Sequence, residues 1–405
     1  MKSLFKIYVI PCLFVFSFSL SAMEVKVLLA SFKDGECVLS AQKGFVLQDP
    51  VSRNGLQQED GRKKFALECR QDGVYLDGKR LFKEKIIFKP YGDSCSYDGN
   101  KYWGYFLIKK VEDKYLLINV VPLEEYVLSV LKTESLPGWP LEINKVFAII
   151  TRTYCLHHIM LSYQKKLPYH IRNSNHHQTY QGIHNCSISK QAVDETKGLF
   201  VSYKGMPILA MFDCCCGGII PADIEGSIDF KKAPYLGRTY ACTYCKNAQP
   251  FHWSVSYSID DFISLIQEEA SFIVRGIKNI EVIDEDNAGL VKKILITTPT
   301  EELMLSADQI YRLSSKIRSY AYTIAKKGKK IVFKGKGFGH HIGLCQWGAR
   351  EMVRRGFTYK QILSFYYPGT DLMRFVDGTE RYNKKGGICQ DIKGILSEVQ
   401  LRSLA

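Results

Sequence analysis

The chain has 405 residues, enough for two or three domains with sizeable cores, and its 46% hydrophobic and 24% charged residues are those of an ordinary globular protein. A net charge of +14 indicates an anionic polymer or surface as partner: nucleic acid, an acidic cell-wall polymer or anionic lipid. Nothing after the N-terminal segment is long and apolar enough to span a bilayer.

The N-terminal segment has the layout of a secretory signal peptide. Lys2 and Lys6 flank the start of an apolar run from Ile7 to Leu20, and small residues follow. We expect cleavage after Ala22, with an uncleaved membrane anchor as the alternative. In both cases the chain is exported to the periplasm or cell envelope, which argues against nucleic acid as its partner.

The rest of the chain is predicted to be α+β, with β-rich lobes, a pair of helices and a cleft between the lobes. Residues 23–110 are expected to form a β-rich N-terminal domain, because EVKVLLASF, EKIIFKPYG and YWGYFLIKK are short apolar runs separated by Gly and Asp. YLDGKR is typical of a hairpin turn. A core domain is expected over residues 111–375 and a C-terminal tail over 376–405.

A helix is predicted to begin at Pro122, because proline suits the first helical turn. Glu134 lies eleven residues after Leu123, on the same face, before Leu136-Pro137-Gly138 ends the helix. A carboxyl group held among apolar side chains has a raised pKa, the property that a general acid needs. A surface glutamate at a frayed helix end is the alternative. The apolar face consists of Leu123, Tyr126, Val127, Val130 and Leu131.

A second helix is predicted over residues 141–161. Arg152 lies on a side of it that also carries small residues, where another element can approach closely, so we expect it to be partly buried and paired. Glu124 and Glu125 fall in the first turn of the preceding helix, where the helix dipole favours acids. These two glutamates are therefore predicted to be structural.

The C-terminal half mixes helices and strands. We expect a hairpin around Lys204-Gly205, a helix at IDDFISLIQEEA, and strands at IKNIEVIDED, LVKKILITT and KKIVFKG. FKGKGFGHHIGLCQWGAREM leads into another helix. Its GKGFG stretch is a weak phosphate-loop signal without a Rossmann context, so a nucleotide site is not predicted.

The cysteines allow two interpretations. Cys214-Cys215-Cys216 and Cys242-x-x-Cys245 could supply four thiolates to zinc, or could form one or two disulfides in an oxidising compartment. We expect disulfides or mixed redox states, although pairing cannot be derived from the sequence. No cofactor is expected to be required, and a structural zinc stays an open alternative.

Four segments follow one another along residues 112–375. They are VPLEEYVLSVLKTESLPGWPLEINKVFAIITRTYCL, HHQTYQGI, GLFVSYKGMPILAMFDCCCGG with the following APYLGRTYACTYC, and GKGFGHHIGLCQWGAREMVRRGFTYKQILSFYYPGTDL. In content and order they resemble the conserved motifs of the stage II sporulation protein D/LytB (amidase enhancer) family. On this basis the chain is identified as a member of that family.

The resemblance implies a peptidoglycan lytic transglycosylase, a carbon–oxygen lyase that cleaves MurNAc–GlcNAc bonds of peptide-stripped glycan strands and leaves 1,6-anhydroMurNAc ends. It implies a role in wall remodelling, division or sporulation, with glycan strands and an N-acetylmuramoyl-L-alanine amidase as partners. The family's catalytic glutamate matches Glu134, and its supporting arginine matches Arg152. The positions that match its substrate-binding motifs are Gln178, Tyr180, Gly339, His340 and Gln346.

The chain also departs from the family's pattern. Some members hold zinc with Cys and His before the QVY motif, but the cysteine positions are here Arg172 and His177, with His176 remaining, so no zinc is expected there. In the segment GKGFGHHIGLCQ, residues 335–346, which is called the glycine loop below, His341 replaces a glycine and Cys345 replaces a serine. These changes could alter the fit of the substrate without removing the acid.

A lytic transglycosylase can work with one carboxyl group, whereas most glycosidases need two. Protonated Glu134 would donate to the glycosidic oxygen and then take the proton of the muramic C6 hydroxyl. A nearby cation would stabilise the carboxylate, so we expect Arg152 to bind substrate or to orient Glu134 rather than to form a tight pair with it. A non-catalytic, glycan-binding activator of a cell-wall amidase is the alternative function.

Overall fold

A computed structural model describes residues 23–48, 62–82, 84–135, 137–174, 177–226, 228–270 and 273–375. The predicted signal segment and C-terminal tail therefore lie outside the described residues. Within these ranges, none of the helices combines the length and the apolar character needed to cross a membrane.

The described chain before residue 123 is rich in strands, as predicted. The expected hairpin joins the strands Gly73–Leu76 and Lys79–Phe82, where Asp77 and Gly78 both have positive φ (52° and 76°), as a two-residue hairpin turn requires. The strands are β1 (Glu24–Phe32), β2 (Gly35–Ser40), β3 (Phe45–Gln48), β4 (Lys64–Arg70), β5 (Gly73–Leu76), β6 (Lys79–Phe82), β7 (Lys85–Pro90), β8 (Ser94–Tyr97), β9 (Asn100–Trp103), β10 (Tyr105–Val111) and β11 (Lys114–Pro122).

The helices begin after β11. They are α1 (Leu123–Glu134), α2 (Leu141–Gln164), α3 (Ser187–Glu195), α4 (Ile259–Ala270), α5 (Ala307–Leu313), α6 (Gln346–Arg354) and α7 (Tyr359–Tyr366). The remaining strands are β12 (Ile171–Arg172), β13 (Leu199–Tyr203), β14 (Met206–Pro207), β15 (Phe212–Asp213), β16 (His252–Ser258), β17 (Asn279–Glu285), β18 (Val291–Thr297), β19 (Glu302–Ser306), β20 (Tyr322–Lys327), β21 (Lys330–Lys336), β22 (Leu344–Cys345) and β23 (Asp371–Arg374). The structure is thus α+β, as predicted.

Two six-stranded sheets, ordered β12-β1-β11-β10-β7-β3 and β6-β5-β4-β2-β8-β9, build the N-terminal part. β1 pairs antiparallel with β11 and parallel with β12, which brings the start of the chain beside the segment that follows α2. The domain boundary expected after residue 110 falls inside β10. The β-rich part and the helix pair share one hydrophobic core and cannot be separated at that point.

The helix pair α1–α2 lies in the middle of this core. The predicted apolar face of α1 is buried, from Leu123 to Leu131, because these side chains recur at helical spacing. α2 is buried on nearly all sides between Ile143 and Ser162, as expected of a helix that is apolar all round. It contacts α1, α3, α7 and β13, so it is the element around which the others pack.

A second hydrophobic cluster lies within residues 253–333. It is made by the sheets β16-β21-β20 and β17-β18-β19 together with α4 and α5. The strands predicted at IKNIEVIDED, LVKKILITT and KKIVFKG are β17, β18 and β21. The single core domain expected over residues 111–375 therefore has two hydrophobic cores.

Candidate active site

Glu134 is the last residue of α1, and its carboxyl group is half-buried. Burial raises the pKa of this carboxyl to about 7, because the surroundings solvate the carboxylate poorly. Two uncharged groups oppose the rise: the Gln346 Nε2, which donates to Glu134 Oε2 over 3.4 Å, and the backbone of Thr179. The carboxyl group is thus protonated in a large fraction of molecules near neutral pH.

Local hydrogen bonds hold the end of α1 that carries Glu134. Ser135 takes an extended conformation and its N–H donates to Leu131 O at 3.1 Å, which ends the helix. The Thr133 hydroxyl lies 2.9 Å from both Val130 O and Thr179 O. The end of the helix is thereby joined to the segment around Thr179, which also contacts the Glu134 carboxyl.

Gln346 reaches Glu134 from a different part of the chain. It is the first residue of α6 and follows β22, which pairs in parallel with β15. At that pair the buried Asp213 accepts a hydrogen bond from the His341 N–H at 2.8 Å. Gly339 has φ of +124°, and a Cβ on it would lie 2.6 Å from the Cβ of Asp213. The glycine loop therefore wraps tightly around Asp213 and fixes where α6 begins.

His341, which stands where the family has a glycine, keeps a glycine-like backbone with φ of +67°. Its side chain is buried, and Nδ1 lies 3.0 Å from Cys216 O. Burial lowers the pKa of the imidazole to about 4, so it is neutral near pH 7. The His341 side chain therefore points into the core.

Arg152 does not have the role expected of it. Its guanidinium is fully buried and forms a bidentate pair with Glu124, with Nε 2.9 Å from Oε1 and Nη2 2.5 Å from Oε2. Nη1 donates to Leu199 O at 2.9 Å. Because Glu124 precedes Glu134 by ten residues, the pair lies about 15 Å along α1 from the acid. Arg152 is therefore too far from Glu134 to orient it, and its guanidinium is not exposed to a ligand, whereas the structural role predicted for Glu124 agrees with this ion pair.

Gln178 and Tyr180 are also core residues, which corrects the prediction that they contact substrate. Gln178 is 1% exposed and accepts a hydrogen bond from the Tyr126 hydroxyl at 2.7 Å. Tyr180 is fully buried, stacks on Tyr126 with ring centroids 5.4 Å apart, and donates to Asn119 Oδ1 at 2.6 Å. Both side chains secure the segment that carries Thr179 rather than face the solvent.

Gly339 and His340 lie in the loop that leads to Gln346. The Gly339 N–H donates to Arg318 O at 2.9 Å. His340 is partly exposed, and its Nδ1 accepts from the Ile342 N–H at 3.1 Å. Burial lowers the pKa of this imidazole. Substrate contacts by this loop stay a prediction.

A cluster of two tryptophans and an arginine was not predicted from the sequence. Trp139 stacks on Phe147, meets Trp347 edge to face at 6.0 Å, and the Arg350 guanidinium lies 5.7 and 5.0 Å from the two indole centroids. Trp139 lies shortly after Glu134 in the sequence, and Trp347 and Arg350 lie shortly after Gln346. This closeness along the chain is the signal from which they could have been predicted. Beside them is a cavity of about 620 Å³, lined by Pro140, Thr243, Tyr244, Lys246, Asn247, Ala248, Trp347, Arg350, Glu351, Val353, Arg354 and Arg355.

The disulfides expected among the cysteines are not present in the described part of the chain, where eleven cysteines are free thiols. Four of them instead converge, since their Sγ atoms all lie within 4.8 Å of one another: Cys216, Cys242, Cys245 and Cys345. At the position where some members of the family hold zinc, the Arg172 Nε donates to the Tyr169 hydroxyl at 2.8 Å and His177 packs against His158. His176 lies outside the described residues.

Comparison with known proteins finds similarity over the region that holds the helix pair and Glu134. The family described as stage II sporulation protein matches residues 111–203, which include α1, α2 and Glu134. A domain of unknown function matches residues 241–343, which include the second hydrophobic cluster. The chain belongs to the stage II sporulation protein D/LytB family.

Curated relatives extend this similarity. An uncharacterized protein of Brachyspira hyodysenteriae is 33% identical over 77% of this chain and 82% of its own length. The amidase enhancer of Bacillus subtilis is 26% identical over 61% of the chain, which spans 40% of that relative. Stage II sporulation protein D of Bacillus subtilis is 23% identical over 62% of the chain and 74% of its own length.

Proposed function

We propose that the protein is a peptidoglycan lytic transglycosylase that cleaves MurNAc–GlcNAc bonds in peptide-stripped glycan strands. The observation that carries the proposal is the half-buried Glu134 carboxyl at the end of α1, contacted by uncharged groups of Gln346 and Thr179. Such a group can give up a proton near neutral pH and take one back, as a single catalytic acid and base must.

In the first step, protonated Glu134 donates its proton to the glycosidic oxygen while the bond from this oxygen to the muramic C1 breaks. The proton stays on the departing GlcNAc as its 4-hydroxyl, and C1 becomes oxocarbenium-like. In the second step the Glu134 carboxylate takes the proton of the muramic C6 hydroxyl, and O6 bonds to C1. The product is a 1,6-anhydro ring, Glu134 is protonated again, and no water is consumed.

Two acids, Glu124 and Asp213, are poorly placed to be the second carboxyl group that hydrolysis would need. A hydrolytic glycosidase places a second carboxyl about 5–9.5 Å from the acid. Glu124 is bound to Arg152 about 15 Å away along α1. Asp213 is 6% exposed and accepts from the His341 N–H, which leaves it poorly placed to activate a water.

The partly exposed Trp347 and the exposed Arg350, which both line the cavity, suit a glycan strand. Indole faces and edges pack against sugar rings, and the muramic lactyl group carries a carboxylate that a guanidinium can bind. Lys246, Arg354 and Arg355 line the same cavity, and although Glu351 there pairs with both arginines, the lining keeps a net positive charge. Stripped strands keep these lactyl carboxylates, so we propose that this cavity receives the strand next to the cleaved bond.

We further propose that the protein acts in the periplasm or cell envelope, in wall remodelling, division or sporulation, after an N-acetylmuramoyl-L-alanine amidase has removed the stem peptides. The relatives named stage II sporulation protein D and amidase enhancer support this cell-wall setting. The second of these names also favours a competing function, in which the protein binds glycan and activates an amidase without cleaving.

The test is to incubate the purified protein with peptide-stripped glycan strands and to identify the products by mass spectrometry. We expect new anhydromuramic ends, with a loss of about 10³-fold or more in rate for Glu134→Gln. Glu125→Gln is the matched control, because it removes a carboxyl from the same helix at a distance from the acid. If the unaltered protein and Glu134→Gln both bind the strands and neither cleaves them, the activator function would be favoured.

A further inference from the structure

Four cysteines from three parts of the chain meet in one buried cluster. Cys216 follows β15, Cys242 and Cys245 form a Cys-x-x-Cys pair, and Cys345 precedes α6. None of the four residues is more than 1% exposed. Their Sγ atoms lie within 4.8 Å of one another, and the Cys216 and Cys245 sulfurs are 3.6 Å apart. Thiolates around a tetrahedral zinc at about 2.3 Å lie about 3.8 Å from one another, so the cluster has the size of a single-ion site.

Backbone N–H groups point at the cluster, as they do around metal-bound thiolates. The Cys216 N–H and the Gly348 N–H each lie 3.3 Å from the Cys345 sulfur. These donors favour a negatively charged sulfur, which is the form that binds metal. Cys345 also occupies the N-cap of α6, where the helix dipole favours negative charge.

The packing around the sulfurs is tight, and the four residues are closed off from solvent. A Cβ on Gly348 would lie 2.7 Å from the Cys242 sulfur and 3.3 Å from the Cys345 sulfur, so only glycine fits. The Tyr366 hydroxyl lies 3.2 Å from the Cys242 sulfur and closes another side. Catalytic zinc sites keep an open position for water, whereas structural sites are closed by four protein ligands. This cluster has the closed form.

We propose that Cys216, Cys242, Cys245 and Cys345 hold one structural zinc ion. A tetrahedral set of four thiolates selects zinc or iron over harder metals, and the Cys-x-x-Cys spacing is typical of zinc sites. A four-iron cluster binds each thiolate to a different iron and would need wider separations than these. The proposal concerns a structural ion and stands whether or not the protein cleaves glycan.

The ion would fix an element of the candidate active site. Cys345 is followed directly by Gln346, whose amide contacts Glu134, and by Trp347 beside the cavity. Thr243 and Tyr244, between the paired cysteines, line that same cavity. One ion would therefore hold together the start of α6 and one wall of the cavity.

The test is to purify the full-length protein without chelator or reductant and to measure metals by inductively coupled plasma mass spectrometry. We expect one zinc per chain. Replacement of the zinc by cobalt should give the intense visible and near-ultraviolet bands of a tetrahedral thiolate site. Both readouts use the unaltered protein and do not depend on activity.

Variants then identify the ligands. Cys242→Ser with Cys245→Ser should lose the zinc, whereas Cys186→Ser, which changes an exposed thiol outside the cluster, should retain it. Cys215→Ser should also retain it, although Cys215 is a buried neighbour of the ligands. Zinc-free protein whose four cysteines resist alkylation until reduced would overturn the proposal in favour of disulfides. Stoichiometric iron with sulfide would overturn the choice of zinc.

Discussion

The first residue of α6, Gln346, donates its side-chain amide to the carboxyl group of Glu134, the last residue of α1, over 3.4 Å. The contact joins residues 212 positions apart in sequence. Because the amide is uncharged, it orients the acid without forcing it to ionise.

The pH dependence of cleavage should follow the protonation of Glu134. The first step needs the protonated acid, and burial raises the pKa of this carboxyl to about 7. We therefore expect kcat/KM on glycan strands to fall about tenfold per pH unit above pH 7. Tyr126, a titratable group that interacts electrostatically with Glu134, stays neutral because burial raises its pKa well above the ordinary value. A descending limb centred near pH 4–5 would contradict the assignment.

Replacing Gln346 by alanine should move the descending limb of the pH profile to higher pH. The amide hydrogen bond lowers the pKa of Glu134, so its removal leaves burial less opposed and the pKa rises further. We expect the descending limb of kcat/KM to shift to higher pH. Gln361→Ala is the control, because this amide caps α7 and does not contact Glu134. An unchanged limb combined with a raised KM would mean that Gln346 binds substrate instead.

Arg152→Met should destabilise the protein rather than change its chemistry. It removes the partner of Glu124 and leaves a largely buried carboxylate unpaired, at a cost of about 3 kcal/mol. Urea unfolding should show this loss, while the pH profile and KM of the folded fraction stay as in the unaltered protein. Arg152→Met with Glu124→Leu should recover much of the stability. A selective fall in kcat with unchanged stability would restore Arg152 to the catalytic machinery.

Arg350→Ala should weaken binding of strands that carry lactyl carboxylates. The guanidinium lies over Trp347 at the cavity, so its loss should raise KM about five- to tenfold with little change in kcat. The effect should shrink at high salt and be absent for binding of chitin oligosaccharides, which lack the lactyl group. Arg80→Ala, an exposed arginine of β6, is the control. Equal losses on both glycans would contradict the proposed contact.

Local patterns in the sequence predicted the elements around the site. The apolar spacing of α1 and the proline before it indicated the helix, its buried face and the position of Glu134, because these depend on near neighbours along the chain. The hairpin at Asp77-Gly78 was predicted for the same reason. The resemblance to the family then indicated which glutamate to examine.

Contacts across the fold were not predictable in this way. A motif match shows where a residue lies in the chain but not which way its side chain points, so Tyr180 was expected to bind substrate although it packs in the core. The pairing of Arg152 with Glu124 depends on how two helices pack. Cys345 was missing from the expected thiolate set because it joins Cys216 from 129 residues further along the chain.

Cleavage of stripped glycan strands in water enriched in ¹⁸O tests the central claim most directly. If Glu134 acts alone and the muramic C6 hydroxyl attacks C1, mass spectrometry will find anhydromuramic ends that contain no ¹⁸O. New reducing ends that each carry one ¹⁸O would show that water attacks C1. That result would contradict the lytic transglycosylase mechanism and require a second carboxyl group.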